Sequence, residues 1–163
     1  MKEFGYKNVN EVPRLVKIVV SMGVKEGAQD IKVLDAVSAD LSQITGQKAI
    51  TTRARKSISA FKLREGSPIG LKVTLRGPRM YEFLDRLVNA AMPRIRDFRG
   101  FADSGFDDQG NFNIGIQEQI IFPELEYDKI KKIQGMNITF VTTGEKKDSS
   151  KRLLESLGFP FKK

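Results

Sequence analysis

The first sustained apolar pattern begins at Leu15. Leu15 to Met22 (LVKIVVSM) is rich in β-branched residues and reads as a strand. Val16, Ile18, Val20 and Met22 fall on one side, Lys17 and Ser21 on the other. Gly23 and Gly27 bracket a short connection, and a helix follows from about Ala28. Ile31, Leu34, Val37, Leu41 and Ile44 recur at helical spacing as one apolar stripe, and Gly46 sits where a helix C-terminal glycine belongs. Lys48 to Arg53 (KAITTR) is a weaker second strand. Ile69 to Arg76 (IGLKVTLR) alternates cleanly, Ile69, Leu71, Val73 and Leu75 against Lys72, Thr74 and Arg76. Pro78 suits the first turn of a helix that runs to about Ala91, with Tyr81, Leu84, Leu87 and Val88 inward, and Pro93 ends it.

Residues 94–110 are loop-like, with Gly100, Gly105, Gly110 and several aspartates. Phe112 to Phe122 alternates again, Phe112, Ile114 and Ile116 against Asn111, Asn113 and Gln117. Met136 to Thr142 (MNITFVT) is a further strand. Asp148 or Ser149 caps a last helix, with Leu153, Leu154 and Leu157 inward and Gly158 beyond. The order β-α-β-β-α-β-β-α, with no repeat and no dividing linker, predicts an α+β fold: a mostly antiparallel sheet with helices packed on one face. The other face then stays open and carries Lys72, Thr74 and Arg76, side chains suited to RNA. Residues 1–163 are expected to form a single domain with a protruding basic loop at about 53–70.

Composition narrows the chemistry. The chain lacks cysteine, so it has no disulfide and no thiolate metal site, and a reducing compartment fits. It lacks histidine, the commonest metal ligand and the usual acid–base residue at neutral pH. No apolar run is long enough to span a bilayer, and the polar start, MKEFGYKNVNEVPR, is unlike a signal peptide. A soluble cytosolic protein is expected.

The net charge is +8 and unevenly placed: residues 41–80 hold nine cations and one anion. Such a block faces a polyanion or is a solvated basic face without a partner. Its densest part is RARKSISAFKLREGSPIG, Arg53 to Gly70, where Arg53, Arg55, Lys56, Lys62 and Arg64 are opposed only by Glu65. Arginines there can grip phosphates or stack on bases. Thr51, Thr52, Ser57 and Ser59 can donate to phosphate or 2′-OH. Phe61 has two readings, a base-stacking ring or an anchor of the loop to the body, of which the anchor is preferred.

Enzyme signatures are mostly absent. GVKEG before a helix lacks the G-x-G-x-x-G spacing, and TGEKKDSSKR lacks the glycines and GK[ST] ending of a phosphate-binding loop. Ser59-Ala60-Phe61-Lys62 matches S-x-x-K, without KTG or SDN and without the burial that activates such a lysine. Asp103, Asp107 and Asp108 lack EF-hand spacing. Arg99-Gly100-Phe101-Ala102 matches only the first half of an RRM signature, since Asp103 stands where an aromatic belongs. Two classes remain open: a non-catalytic RNA-binding protein, and an enzyme on RNA or an acyl substrate using Ser59 and Lys62. A membrane-surface role is less suited, because the cations do not lie on a basic amphipathic helix.

Several long segments carry a resemblance. TGQKAITTRARKSISAFKLREGSPIGLKVTLRG, VPRLVKIVVSMGV, MPRIRDFRGF, GNFNIGIQEQIIFPE and the ending LGFPF resemble the bacterial large-subunit ribosomal protein L5 family, whose members bind 5S ribosomal RNA. The likeness runs from Val12 to Lys163. It implies a structural, non-catalytic constituent of the ribosome in the cytoplasm, without a cofactor and away from membranes. It implies that 5S rRNA docks on the open side of the sheet and is anchored in the central protuberance. The family's recognition residues match Gln47, Thr74 and Arg76, with Lys72 on the same face. The family has asparagine where this chain has Ser21, which is shorter and has no amide. The loop matching Arg53–Pro68 reaches the elbow of P-site tRNA, which assigns Arg53, Arg55, Lys56, Lys62 and Arg64 to tRNA contact. Further partners implied are 23S rRNA, neighbouring 5S-binding ribosomal proteins and, through an intersubunit bridge, small-subunit protein S13. The family begins with another helix ahead of the position of Met1, so a truncated or alternatively started chain is expected.

Overall fold

The computed structural model describes residues 6–28, 30–130, 132–144 and 146–162. The first residues of the polar start, Glu145 of the TGEKKDSSKR run and Lys163 lie outside the described residues. The elements are β1 (Leu15–Gly23), α1 (Ile31–Thr45), β2 (Ile50–Arg53), β3 (Pro68–Leu75), α2 (Pro78–Arg86), β4 (Phe112–Ile116), β5 (Met136–Thr142) and α3 (Lys147–Ser156). The strands form one antiparallel sheet in the order β2-β3-β1-β5-β4, the α+β class the pattern predicts.

The chain groups into two compact units, one of Val20–Thr74 with Gly115–Asn137 and the other of the rest. In the first, α1 buries Leu34, Val37, Leu41 and Ile44. The helix starts later than the spacing suggests. Lys25–Ala28 forms a 3-10 turn, and the Asp30 carboxylate caps α1 by accepting from the Lys32 N–H at 2.9 Å. Ile31, expected in the stripe, is 65% exposed on the first turn. Gly46 closes the helix at φ 64°, its N–H donating to the Ser42 carbonyl. Gly70 answers a packing demand: a Cβ there would stand 2.6 Å from the Met22 carbonyl oxygen and 3.0 Å from the Thr52 hydroxyl. Only glycine lets these backbones approach so closely.

The alternation from Phe112 does not continue as a strand to Phe122. It stops at Ile116, and Gln119–Ile121 turns as a 3-10 helix. Gln119 is fully buried, donating to the Lys132 carbonyl at 2.7 Å and accepting from the Gln134 N–H. One side-chain amide thus satisfies backbone groups that a ladder would otherwise have to pair.

In the second unit the core is aromatic. Phe112 is fully buried and its ring meets those of Phe101, Phe106, Phe140, Phe159 and Phe161 at 4.5–6.4 Å. β1 enters with a slip in its alternation: Leu15 is buried and Val16, expected inside, is 41% exposed before Ile18 restores the pattern. In α2 the inward residues are Met80, Phe83 and Leu84, followed by Leu87, while Tyr81 faces solvent and Val88 is half-buried. Both stripes fit helical spacing, and burying Tyr81 would have required a partner for its hydroxyl. The helix expected to Ala91 reaches it, its α-helical part ending at Arg86. A π-helical turn, Leu87–Ala91, and a 3-10 turn holding Pro93 follow. α3 begins at Lys147 without a side-chain cap, so neither Asp148 nor Ser149 caps it. Ser149 and Ser150 are buried instead, bonded to the Lys146 carbonyl and the Thr142 hydroxyl, and Leu154 is the deepest apolar residue. Leu153 and Leu157 are only half-buried.

Candidate nucleic-acid interface

The basic stretch leaves the sheet after Arg53 and returns at Pro68 as a laddered hairpin. The Ala54 N–H donates to the Ser67 carbonyl at 2.9 Å, and the Gly66 N–H to the Ala54 carbonyl at 3.0 Å. Ile58 and Leu63 exchange bonds of 2.9 and 3.1 Å. Between these pairs the Ser57 hydroxyl accepts from the Glu65 N–H at 2.9 Å. The tip is a 3-10 turn, Ser59–Phe61, closed by Lys62 at φ 50°. Much of the arm's backbone polarity is thus satisfied within the arm itself.

Arg55, Lys56, Lys62 and Arg64 are all exposed, and among the described residues none makes an ion pair. Arg53 is used differently: its guanidinium donates to the Gly66 carbonyl at 2.9 Å and braces the root of the arm. Phe61 corrects the anchor reading. It is 77% exposed, whereas Ala54 at the root of the arm is buried, 6% exposed. The chain itself offers no signal: Ile58, Ala60 and Leu63 flank Phe61 as apolar neighbours, and its exposure follows from how the arm folds.

On β3, Lys72 is exposed and Thr74 half-buried between the buried Leu71, Val73 and Leu75, and Arg76 follows exposed. Ile50 of β2 lies opposite Lys72 in register, and Thr52 opposite Gly70, so both share the Lys72 side. Neither was assigned a face from sequence, although KAITTR carried the alternation. Ile50 is 69% exposed. Gln47, just past α1, is half-buried, its side-chain amide donating to the Thr74 carbonyl at 3.3 Å and its backbone carbonyl accepting from the Thr45 hydroxyl at 3.1 Å. The structure therefore brings Gln47 and Thr74 together. Ser21 of β1 is half-buried between the buried Val20 and Met22, on the opposite side from them.

The rejected chemistries have structural explanations. Ser59 and Lys62 are exposed and joined only by a backbone bond. Asp103 accepts from Lys151 at 2.7 Å, which raises the lysine's pKa. Desolvation pushes the Asp107 carboxyl up, but hydrogen bonds from Asn111 and Gln109 outweigh it and hold the group below the ordinary carboxylate value. Phe101 of the RRM-like run is half-buried. Its backbone pairs with the chain end, its N–H donating to the Pro160 carbonyl at 3.0 Å and its carbonyl accepting from the Lys162 N–H at 2.9 Å.

A basic α+β chain with an exposed cationic arm falls in the class suited to polyanion partners. Residues 8–64 match the family described as "Ribosomal protein L5", and residues 68–161 match the C-terminus of that same ribosomal family. The large ribosomal subunit protein uL5 of Dechloromonas aromatica is 59% identical over 162 residues, covering 99% of this chain and 90% of the relative. The proteins of the same name from Fervidobacterium nodosum and Desulforamulus reducens are 57% and 56% identical over the full 163 residues, covering 89% and 90% of their lengths. The chain belongs to the ribosomal protein L5 family.

Proposed function

We propose that this chain is a non-catalytic structural constituent of the large ribosomal subunit in the cytoplasm. It binds 5S rRNA, helps anchor it in the central protuberance, and reaches P-site tRNA with the arm. Residues 1–163 act as one RNA-binding domain from which the arm projects. The observation that carries this reading is the exposure of two cationic sets on different elements, Arg55–Arg64 on the arm and Lys72 with Arg76 at β3. Lys72 and Arg76 supply charge to 5S rRNA, Gln47 and Thr74 add polar groups held against each other, and Ser21 adds a hydroxyl. Arg55, Lys56, Lys62 and Arg64 meet the tRNA backbone, with Arg53 at the root. 23S rRNA, neighbouring 5S-binding proteins and S13 complete the partners.

The test separates the two sets. Arg76→Ala is expected to weaken 5S rRNA binding by about 1–3 kcal/mol, the scale of one charge-assisted contact. Neutralising Arg53, Arg55 and Lys56 together is expected to spare 5S binding and to weaken tRNA engagement in ribosomes. Unchanged 5S affinity in folded Arg76→Ala, or lost 5S affinity in the triple variant, would overturn this division.

A further inference from the structure

We infer that Phe61 is a stacking site for an unpaired nucleobase, and that the turn carrying it is built to present the ring. The inference rests on the arm being an RNA-contacting element and names what its tip recognises. Three observations converge. Phe61 is 77% exposed, the largest exposure among the exposed large hydrophobic residues. Most of the ring is open to solvent, so its π-face is free to take a partner.

The turn beneath it is fixed. The Phe61 N–H donates to the Ile58 carbonyl at 3.3 Å, the Lys62 N–H to the Ser59 carbonyl at 2.9 Å, and the Ile58–Leu63 pair closes the loop. Phe61 has only two side-chain torsions left to fix, so little entropy is lost when it binds. The third observation is Lys62 at φ 50°, a left-handed conformation that glycine adopts without strain and lysine does not. Strain kept at an exposed tip, with a cation beside the ring, fits a role for both side chains.

Charge selects the occupant. Arg55, Lys56, Lys62 and Arg64 surround the ring in sequence, with Glu65 the one anion between Arg53 and Gly70. A protein partner meeting Phe61 through an apolar pocket would have to accommodate these cations. A nucleic acid neutralises them on phosphates while a base covers the ring, the pairing of charge and π-face that single-stranded RNA sites use. A fully paired duplex offers phosphates but no free base face along its length, so the tip distinguishes unpaired from paired RNA.

The experiment uses the full chain and two probes, a stem-loop RNA with 2-aminopurine in its loop and the same strand annealed as a blunt duplex. Variants are Phe61→Ala, Phe61→Leu, Phe61→Tyr and a combined Arg55→Ala, Lys56→Ala, Arg64→Ala. Phe61→Ala and Phe61→Leu are expected to lose roughly tenfold in affinity for the stem-loop, with fluorescence quenching abolished and the salt slope unchanged. Phe61→Tyr is expected to bind as the parent does, and duplex affinity to be unmoved by any Phe61 variant. Full stem-loop affinity in Phe61→Ala, or in Phe61→Leu, which keeps an apolar group but no π-face, overturns the stacking site. The cation variant reads the underlying assignment separately. If it leaves affinity for both probes unchanged, the arm is not an RNA-contacting element, and that reading fails rather than the stacking inference alone.

Discussion

The arm between Arg53 and Pro68 and the connection spanning residues 94–111 have the same look in sequence: glycines, charges and scattered aromatics between regular elements. They are put to opposite uses. The arm satisfies its backbone with its own ladder and turns Phe61 and four cations to solvent. The connection makes short turns of its own, such as Gly110 N–H to the Asp107 carbonyl, pairs the Phe101 backbone with the chain end, and is packed through its side chains. Phe101 and Phe106 join the Phe112 cluster, Asp107 bonds Asn111 and Gln109, and Asp103 takes Lys151. Aromatics in the connection have neighbouring rings at 4.5–6.4 Å, whereas Phe61 has none among the described residues. An irregular segment that packs its apolar residues serves folding, and one that does not has them available for a partner.

Stability measurements sharpen the contrast, beginning with the largest effect. Phe112→Ala removes the ring on which the connection is packed and is expected to cost about 3–5 kcal/mol in urea denaturation. Phe61→Ala is expected to stay within about 0.5 kcal/mol of the parent. Equal losses would show that Phe61 is packed after all.

Lys62→Gly comes next. It relieves the left-handed strain at the tip and is expected to stabilise the protein by about 0.5–1 kcal/mol, while weakening RNA binding through the lost cation. Destabilisation would mean that the Lys62 side chain supports the fold.

The smallest effect lies in the connection. The Asp107 carboxyl is held below its ordinary pKa, so its contribution is fully present above the unfolded-state value and is lost as pH falls through the lower folded value. Asp107→Asn is expected to cost less than about 1 kcal/mol near neutral pH, since the group is largely exposed. The gap should close in acid, and one that widened there would reverse the assigned direction.

Much of this architecture is written in periodicity. Leu34, Val37, Leu41 and Ile44 of the α1 stripe and Leu71, Val73 and Leu75 of the β3 alternation are buried as they read in the chain, while Ile31 is exposed and Ile69 half-buried at their starts. Both signals are local and repeat often enough to be unambiguous. The failures fall where tertiary packing chose between equivalent local patterns. Met80 and Phe83 displace Tyr81 from the inward face of α2, and Leu15 takes the place of Val16. The buried amide of Gln119, which ends the β4 alternation, has no sequence signal at all, because its partners are thirteen and fifteen residues away.

At the candidate interface the cations of the arm were evident from charge alone. The bracing role of Arg53 was not, since its acceptor at Gly66 depends on how the arm folds back. The side of Ile50 and Thr52 depended on register with β3, a non-local property. The exposure of Phe61 depended on the pairing of Ile58 with Leu63 across the arm, which periodicity does not register.

The measurement that bears most directly on the proposed function is a titration of the purified chain with 5S rRNA at several salt concentrations, beside a tRNA and an unrelated hairpin. Tight binding selective for 5S rRNA, weakening linearly with the logarithm of salt, is the expected result, and its slope would count the phosphates neutralised. Weak binding of equal strength to all three RNAs, steeply salt-dependent, would contradict it and leave only a basic surface without a specific partner.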